Sequence, residues 1–136
     1  TIKLWDPATG SCAATLEGHS KSVNALAVLP DGRLASGSWD NTIKLWDPAT
    51  GNCAATLEGH SKSVNALAVL PDGRLASGSS DYTIKLWDPD TADLGSGQLL
   101  FVADGLIMSL AFLQGPLLLV AGDTSGRLHR MGLSLL

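Results

Sequence analysis

Histidine, serine and aspartate recur together along this chain: His19, Ser36 and Asp40, then His60, Ser77 and Asp81, each member of the second set 41 residues after the first. These are the residue types of a nucleophilic hydrolase, in which a carboxylate orients an imidazole that takes the proton of a serine hydroxyl. A catalytic site is normally assembled once, whereas this set returns in register with a repeat, so a hydrolase is the remote alternative. No metal centre is expected either. His19, His60 and His129 fall in different repeat units, and neither Cys12 nor Cys53 has a partner at ligand spacing. The glycine-containing pieces SGSW, from Ser36, and DLGSGQ, from Asp93, lack the strand, loop and helix context of a phosphate cradle. No cofactor is implied.

The elements that must position these residues follow from the repeat. Residues 1–41 and 42–82 differ only at Ser11/Asn52, Trp39/Ser80 and Asn41/Tyr82, and a third copy opens as TIKLWD at Thr83 before diverging. A period of this size marks an architecture whose units cannot each bury an apolar face alone. Within one unit SVNALAVL, from Ser22, alternates apolar residues as a strand does and ends at the turn Pro30-Asp31-Gly32. RLASGS, from Arg33, is the second strand. Asp40 and Asn41 turn the chain into the third, TIKLW, and after Asp47-Pro48-Ala49-Thr50-Gly51 comes the fourth, CAATLE. Connections this short permit only antiparallel neighbours, so each period predicts a four-stranded meander.

Composition sets the outer bounds. Of the 136 residues 45% are hydrophobic and 16% charged, enough apolar material for a buried core. The net charge of −4, with nine scattered Lys and Arg, argues against nucleic acid as a partner. Cys12 and Cys53 occupy the same place in successive units and are expected to be free thiols in a reducing, cytoplasmic compartment. The apolar stretch from Leu99 to Gly122 is interrupted by Asp104, Gly105, Gln114, Gly115 and Pro116, which suits short strands and not a membrane span. No membrane association is expected. The chain opens at Thr1 inside a motif, with neither a methionine nor a secretory signal, and so reads as a fragment or a processed product.

Gly18-His19 and Gly59-His60 precede the first strand of a unit, and Trp5-Asp6, Trp46-Asp47 and Trp87-Asp88 close the third. In this the chain resembles the WD40 repeat family, strongly over residues 1–90. The resemblance implies an all-β fold of propeller blades, each a four-stranded antiparallel meander with strands a to d, about three blades per chain. It divides the chain into the end of a blade (1–21, strands c-d), two full blades (22–58 and 63–104) and a degenerate last blade (105–136, strands a-c). In that last blade Ser125 stands near the turn aspartate's place, Met131 stands where tryptophan should be, and the preceding loop over 91–98 is longer and polar. Similar endings close the C-terminal propellers of large bacterial signalling proteins. Propellers close with typically 4 to 8 blades, so the partial ring would be completed by the remainder of a parent propeller or by homo-oligomerisation.

The resemblance also gives the recurring residues a structural role: His19, Ser36, Asp40 and Trp46, and again His60, Ser77, Asp81 and Trp87, would form a hydrogen-bonded tetrad in each blade. Such groups cost roughly 1 to 3 kcal/mol each when buried without partners. In the family the turns beside the tetrad aspartate lie on the top face, a common docking surface for proteins and peptides. Trp39, Asn41, Ser80 and Tyr82 flank that aspartate and are the candidate partner-binding residues. The function implied is a non-catalytic interaction scaffold, with the sensor part of a larger bacterial signalling protein as one setting and a purely structural, self-assembling module as the alternative.

Overall fold

The computed structural model describes residues 1–90, 97–114 and 118–133, and among them every element is a β-strand. Most of the expected polar loop over 91–98 lies outside the described residues, as do Gly115, Pro116 and the last three residues of the degenerate unit. Strands β1 (Ile2–Trp5) and β2 (Cys12–Leu16) form a pair. A first full sheet follows in the order β3 (Val23–Val28), β4 (Leu34–Ser38), β5 (Ile43–Trp46) and β6 (Cys53–Leu57). The second repeats it with β7 (Val64–Val69), β8 (Leu75–Ser79), β9 (Thr83–Trp87) and β10 (Gln98–Val102). A last sheet holds β11 (Ile107–Leu113), β12 (Leu118–Asp123) and β13 (Leu128–Gly132).

Within each sheet consecutive strands pair antiparallel, and in the first full sheet only four to six residues join one strand to the next. At the β3–β4 turn Gly32, with φ 91°, donates its N–H to the Leu29 carbonyl, a conformation that a side chain disfavours. The Asp31 carboxylate caps the same turn by accepting from the backbone N–H and Nε of Arg33 at 3.0 and 2.7 Å. The apolar stretch after residue 98 runs through β10, β11 and β12. Among the described residues no helix is long and apolar enough to cross a membrane.

The core lies between sheets. Ala35, Ile43, Leu45 and Leu57 of the first full sheet meet Val64, Leu75 and Trp87 of the second. The opposite face of the second packs Ala76, Ile84 and Leu86 on Ile107, Leu119 and Ala121 of the last. Glycine makes this stacking close. A Cβ on Gly37 would fall 2.6 Å from Val64 Cγ1, and one on Gly78 would overlap Ile107, so each sheet seats the first residue of the next in a side-chain-free socket.

Polar contacts tie the two full sheets together at both ends. Arg33 Nη2 donates to Asp90 Oδ1 at 2.7 Å, and Asp90 stands where the first copy has Ala49. At the other end Asn41 Nδ2 donates to the Ser61 carbonyl at 3.3 Å.

Candidate functional site

Each full sheet brings its four recurring residues together from four places. His19 sits in the loop entering β3, Ser36 on β4, Asp40 in the β4–β5 turn and Trp46 at the end of β5. The indole Nε1–H of Trp46 donates to Ser36 Oγ at 2.8 Å, His19 Nε2 lies 2.6 Å from that oxygen, and His19 Nδ1 lies 2.8 Å from Asp40 Oδ2. Trp87, Ser77, His60 and Asp81 repeat the set at 2.8, 2.6 and 2.8 Å. One proton order satisfies every group: Nδ1–H donates to the carboxylate, and the serine hydroxyl accepts from the indole while donating to Nε2.

That order has the connectivity of a Ser-His-Asp relay, yet the serines cannot act as nucleophiles from where they sit. Ser36 and Ser77 are completely buried, and a lone pair of each Oγ is held by an indole. A nucleophile must meet a carbonyl carbon, and these two oxygens meet only the interior of the sheet.

The carboxylates are saturated as well. Asp40 also accepts from the N–H of Ser20 at 3.1 Å, the N–H of Thr42 at 3.0 Å and the Thr42 hydroxyl at 2.6 Å. Burial alone would raise its pKa, but hydrogen bonds from Thr42, His19 and Ser20 outweigh that and hold it at about 2. Asp81 is lowered for the same balance of reasons, with Thr83, His60 and Ser61 as donors. Burial lowers the pKa of His60, against the pull of Asp81, so the neutral imidazole that the network requires is also the favoured form. Among the described residues no buried side-chain nitrogen or oxygen lacks a partner.

The four residues beside the aspartates divide into two kinds. Asn41 and Ser80 are partly buried and bonded: Asn41 reaches the Ser61 carbonyl, while Ser80 Oγ accepts from Asn65 Nδ2 at 2.9 Å. Asn65 also donates to the Ile107 carbonyl at 3.0 Å, so the serine belongs to the junction with the last sheet. Trp39 and Tyr82 instead stand 54% and 43% exposed. Asn41 and Tyr82, at the equivalent turn position, have φ of 74° and 71°, a left-handed conformation that asparagine tolerates and tyrosine does not favour. Lys62 Nζ lies 6.0 Å from the Tyr82 ring centroid.

The family profile described as WD domain, G-beta repeat matches residues 10–47 and 51–88, more than half of the chain. The chain belongs to the WD40 repeat family. A 42-residue segment is 48% identical to the guanine nucleotide-binding protein subunit beta-5b of Danio rerio, covering 30% of this chain and 11% of that protein. Another comparison gives 50% identity over 42 residues with mitochondrial division protein 1 of Pyricularia oryzae, 31% of this chain and 6% of that one. The chain thus matches a small part of either relative.

One cluster escaped the sequence analysis. In the last sheet Asp123, at the position of Ser38 and Ser79, accepts from His129 Nε2 at 2.7 Å, from the N–H groups of Ser125 and Arg127 at 2.8 and 3.2 Å, and from the Ser125 hydroxyl. These bonds, that from His129 foremost, hold the carboxyl far below the usual range. The His129 ring packs on Phe101 of β10, with centroids 4.9 Å apart. The signal was an aspartate and a histidine six apart around Thr124-Ser125-Gly126, which places them on facing strands; a search keyed to a Gly-His before the first strand passes over it. No group of three or more His, Cys, Asp or Glu among the described residues could hold a metal ion, and Cys12 and Cys53 are exposed free thiols.

Proposed function

We propose that this chain is a non-catalytic interaction platform that binds a protein or peptide across the loop face carrying Trp39 and Tyr82. WD40 repeats generally scaffold protein–protein interactions, and the tetrads keep the turns beneath this face rigid. The observation that carries the reading is Tyr82, a half-exposed aromatic in a left-handed turn where the sister repeat has asparagine. That conformation costs a non-glycine residue roughly 1–2 kcal/mol, and strain retained at an exposed aromatic suits a binding site better than neutral drift. The exposed thiols suit a reducing, cytoplasmic setting, in which the platform would serve as the sensor part of a larger signalling protein.

A displayed library of random peptides, selected on the wild-type chain and counter-selected on the Trp39→Ala/Tyr82→Ala variant, tests this. Peptides that bind the first and not the second are the expected result. A selection that yields none is the result against it. A second reading, self-assembly, has its own observation: Leu26 and Val28 on β3 are 54% and 67% exposed, and Leu113 and Leu128 on the last sheet 48% and 76%. Sedimentation equilibrium separates that reading, which requires a mass above 14.1 kDa.

A further inference from the structure

From the way the two full sheets stack we infer that the edge of β1 and the bare face of β3 form a docking site for a β-hairpin of another chain, one with the residue pattern of β3–β4. The site uses neither Trp39 nor Tyr82 and so goes beyond the interaction reading above.

In the first full sheet β5 has β6 on one edge and β4 on the other, whereas β1, with the same residues IKLW, pairs among the described strands with β2 alone. The β4 edge is also what covers the next sheet. Gly37 of β4 stands opposite Ile43 in the ladder and seats Val64 of β7, and Leu67 and Val69 pack on the core that Ala35, Ile43 and Leu45 build. Beside β1 the corresponding place is a cleft of about 380 Å³, lined by Ile2, Lys3, Val23, Ala25 and Leu26. Leu26 and Val28, the counterparts of Leu67 and Val69, are 54% and 67% exposed.

Trp5 points to the same occupant independently. Trp46, at the same place in its unit, is 1% exposed and donates its indole N–H to Ser36 of β4, whereas Trp5 is 60% exposed. A hairpin that pairs with β1 in the register of β4 on β5 sets its glycine opposite Ile2 and against Val23, and its serine opposite Lys3, in reach of the Trp5 indole. Its histidine and aspartate then complete a third tetrad. Backbone bonds along β1 supply the hold, and the glycine socket and the indole supply the choice of sequence. The last sheet of a second copy suits the site less, because Ala121 stands at the position of Ser36 and offers the indole no side-chain acceptor.

A synthetic peptide of residues 59–82 carries the hairpin with its His, Ser and Asp and contains no tryptophan. Titrated into the whole chain, it should bind saturably and shift the tryptophan emission to the blue as Trp5 is covered. Trp5→Phe, a surface change checked by unchanged thermal unfolding, should lose that shift. In anisotropy with labelled peptide, Gly78→Val in the peptide and Val28→Glu in the chain should each weaken binding about tenfold or more, a difference of about 1.4 kcal/mol. No saturable binding, equal affinity for the Gly78→Val peptide, a shift that survives Trp5→Phe, or a dimer of the chain that the peptide does not displace would overturn the inference. Trp39→Ala/Tyr82→Ala in the chain should leave hairpin binding unchanged, so failure at this site and failure of the loop-face reading are seen separately.

Discussion

The same six residues, VNALAV, form β3 and β7, and the two strands live in different surroundings. In β7, Val64, Ala66 and Ala68 are 0%, 6% and 8% exposed; in β3, Leu26 and Val28 are 54% and 67% exposed, and no residue of the strand is fully buried. The polar residue differs as well: Asn65 bridges to the last sheet, and Asn24 is exposed. What packs against the strand makes the difference. The first full sheet covers β7 on one side and the last sheet on the other, whereas β1 and β2 cover β3 in part. The stability of a repeat array is a sum of units and interfaces, and here equal units have unequal interfaces.

The largest expected effect breaks that comparison along the conserved spacing of the repeat. Trp46 and Trp87 are 1% and 2% exposed and Trp5 is 60% exposed, so Trp46→Ala or Trp87→Ala should cost about 3–5 kcal/mol, and Trp5→Ala under about 1 kcal/mol. Urea unfolding midpoints measure both. Equal losses would mean that the motif and not its surroundings decides the cost.

Acid should act next, through the two tetrads. Asp40 titrates at about 2 in the fold against 3.8 as a free side chain, so its contribution is present above pH 3.8 and lost as pH falls toward 2. That contribution is about 1–2 kcal/mol after solvent screening. His60 is shifted below 6.5 by burial, so the unfolded chain takes up its proton first and stability begins to fall as pH drops below 6.5. His60→Gln should flatten the slope between that point and the carboxylate range; an unchanged slope would assign it to another group.

Two smaller effects sharpen the contrast between the copies. Val64→Ala should cost about 2 kcal/mol and Val23→Ala about 1, since both lose the same methyl groups and only Val64 is wholly enclosed. Calorimetric melting of the pair would show no such gap if the two junctions were equivalent. Tyr82→Asn should raise stability by about 0.5–1 kcal/mol by relieving the left-handed turn, while weakening peptide binding. A loss of stability would mean that the tyrosine is held by packing.

Much of this was legible in the residues. The 41-residue spacing of Gly-His and Trp-Asp pointed to the family, and the all-β blades follow from period-two alternation between short turns. The candidate site was legible as a set of residue types only. That the side chains of Asn41 and Ser80 are bound into sheet junctions, while those of Trp39 and Tyr82 face solvent, depends on Ser61, 20 residues from Asn41, on Asn65, 15 from Ser80, and on Ile107, 42 from Asn65. Asp123 and His129 went unread because their counterparts in the full repeats, Ser38 and Lys44, are not members of the tetrad.

By itself, then, the sequence determined what local chemistry can determine: strand periodicity, the Pro-Asp-Gly and Asp-Asn turns, and the recurrence of four hydrogen-bonding groups in each unit. The tertiary structure alone decided which copy of a strand is buried, which turn residue faces solvent and which holds a neighbour. Those outcomes depend on the surface presented by the adjoining sheet, and identical residues carry no record of which neighbour they will meet.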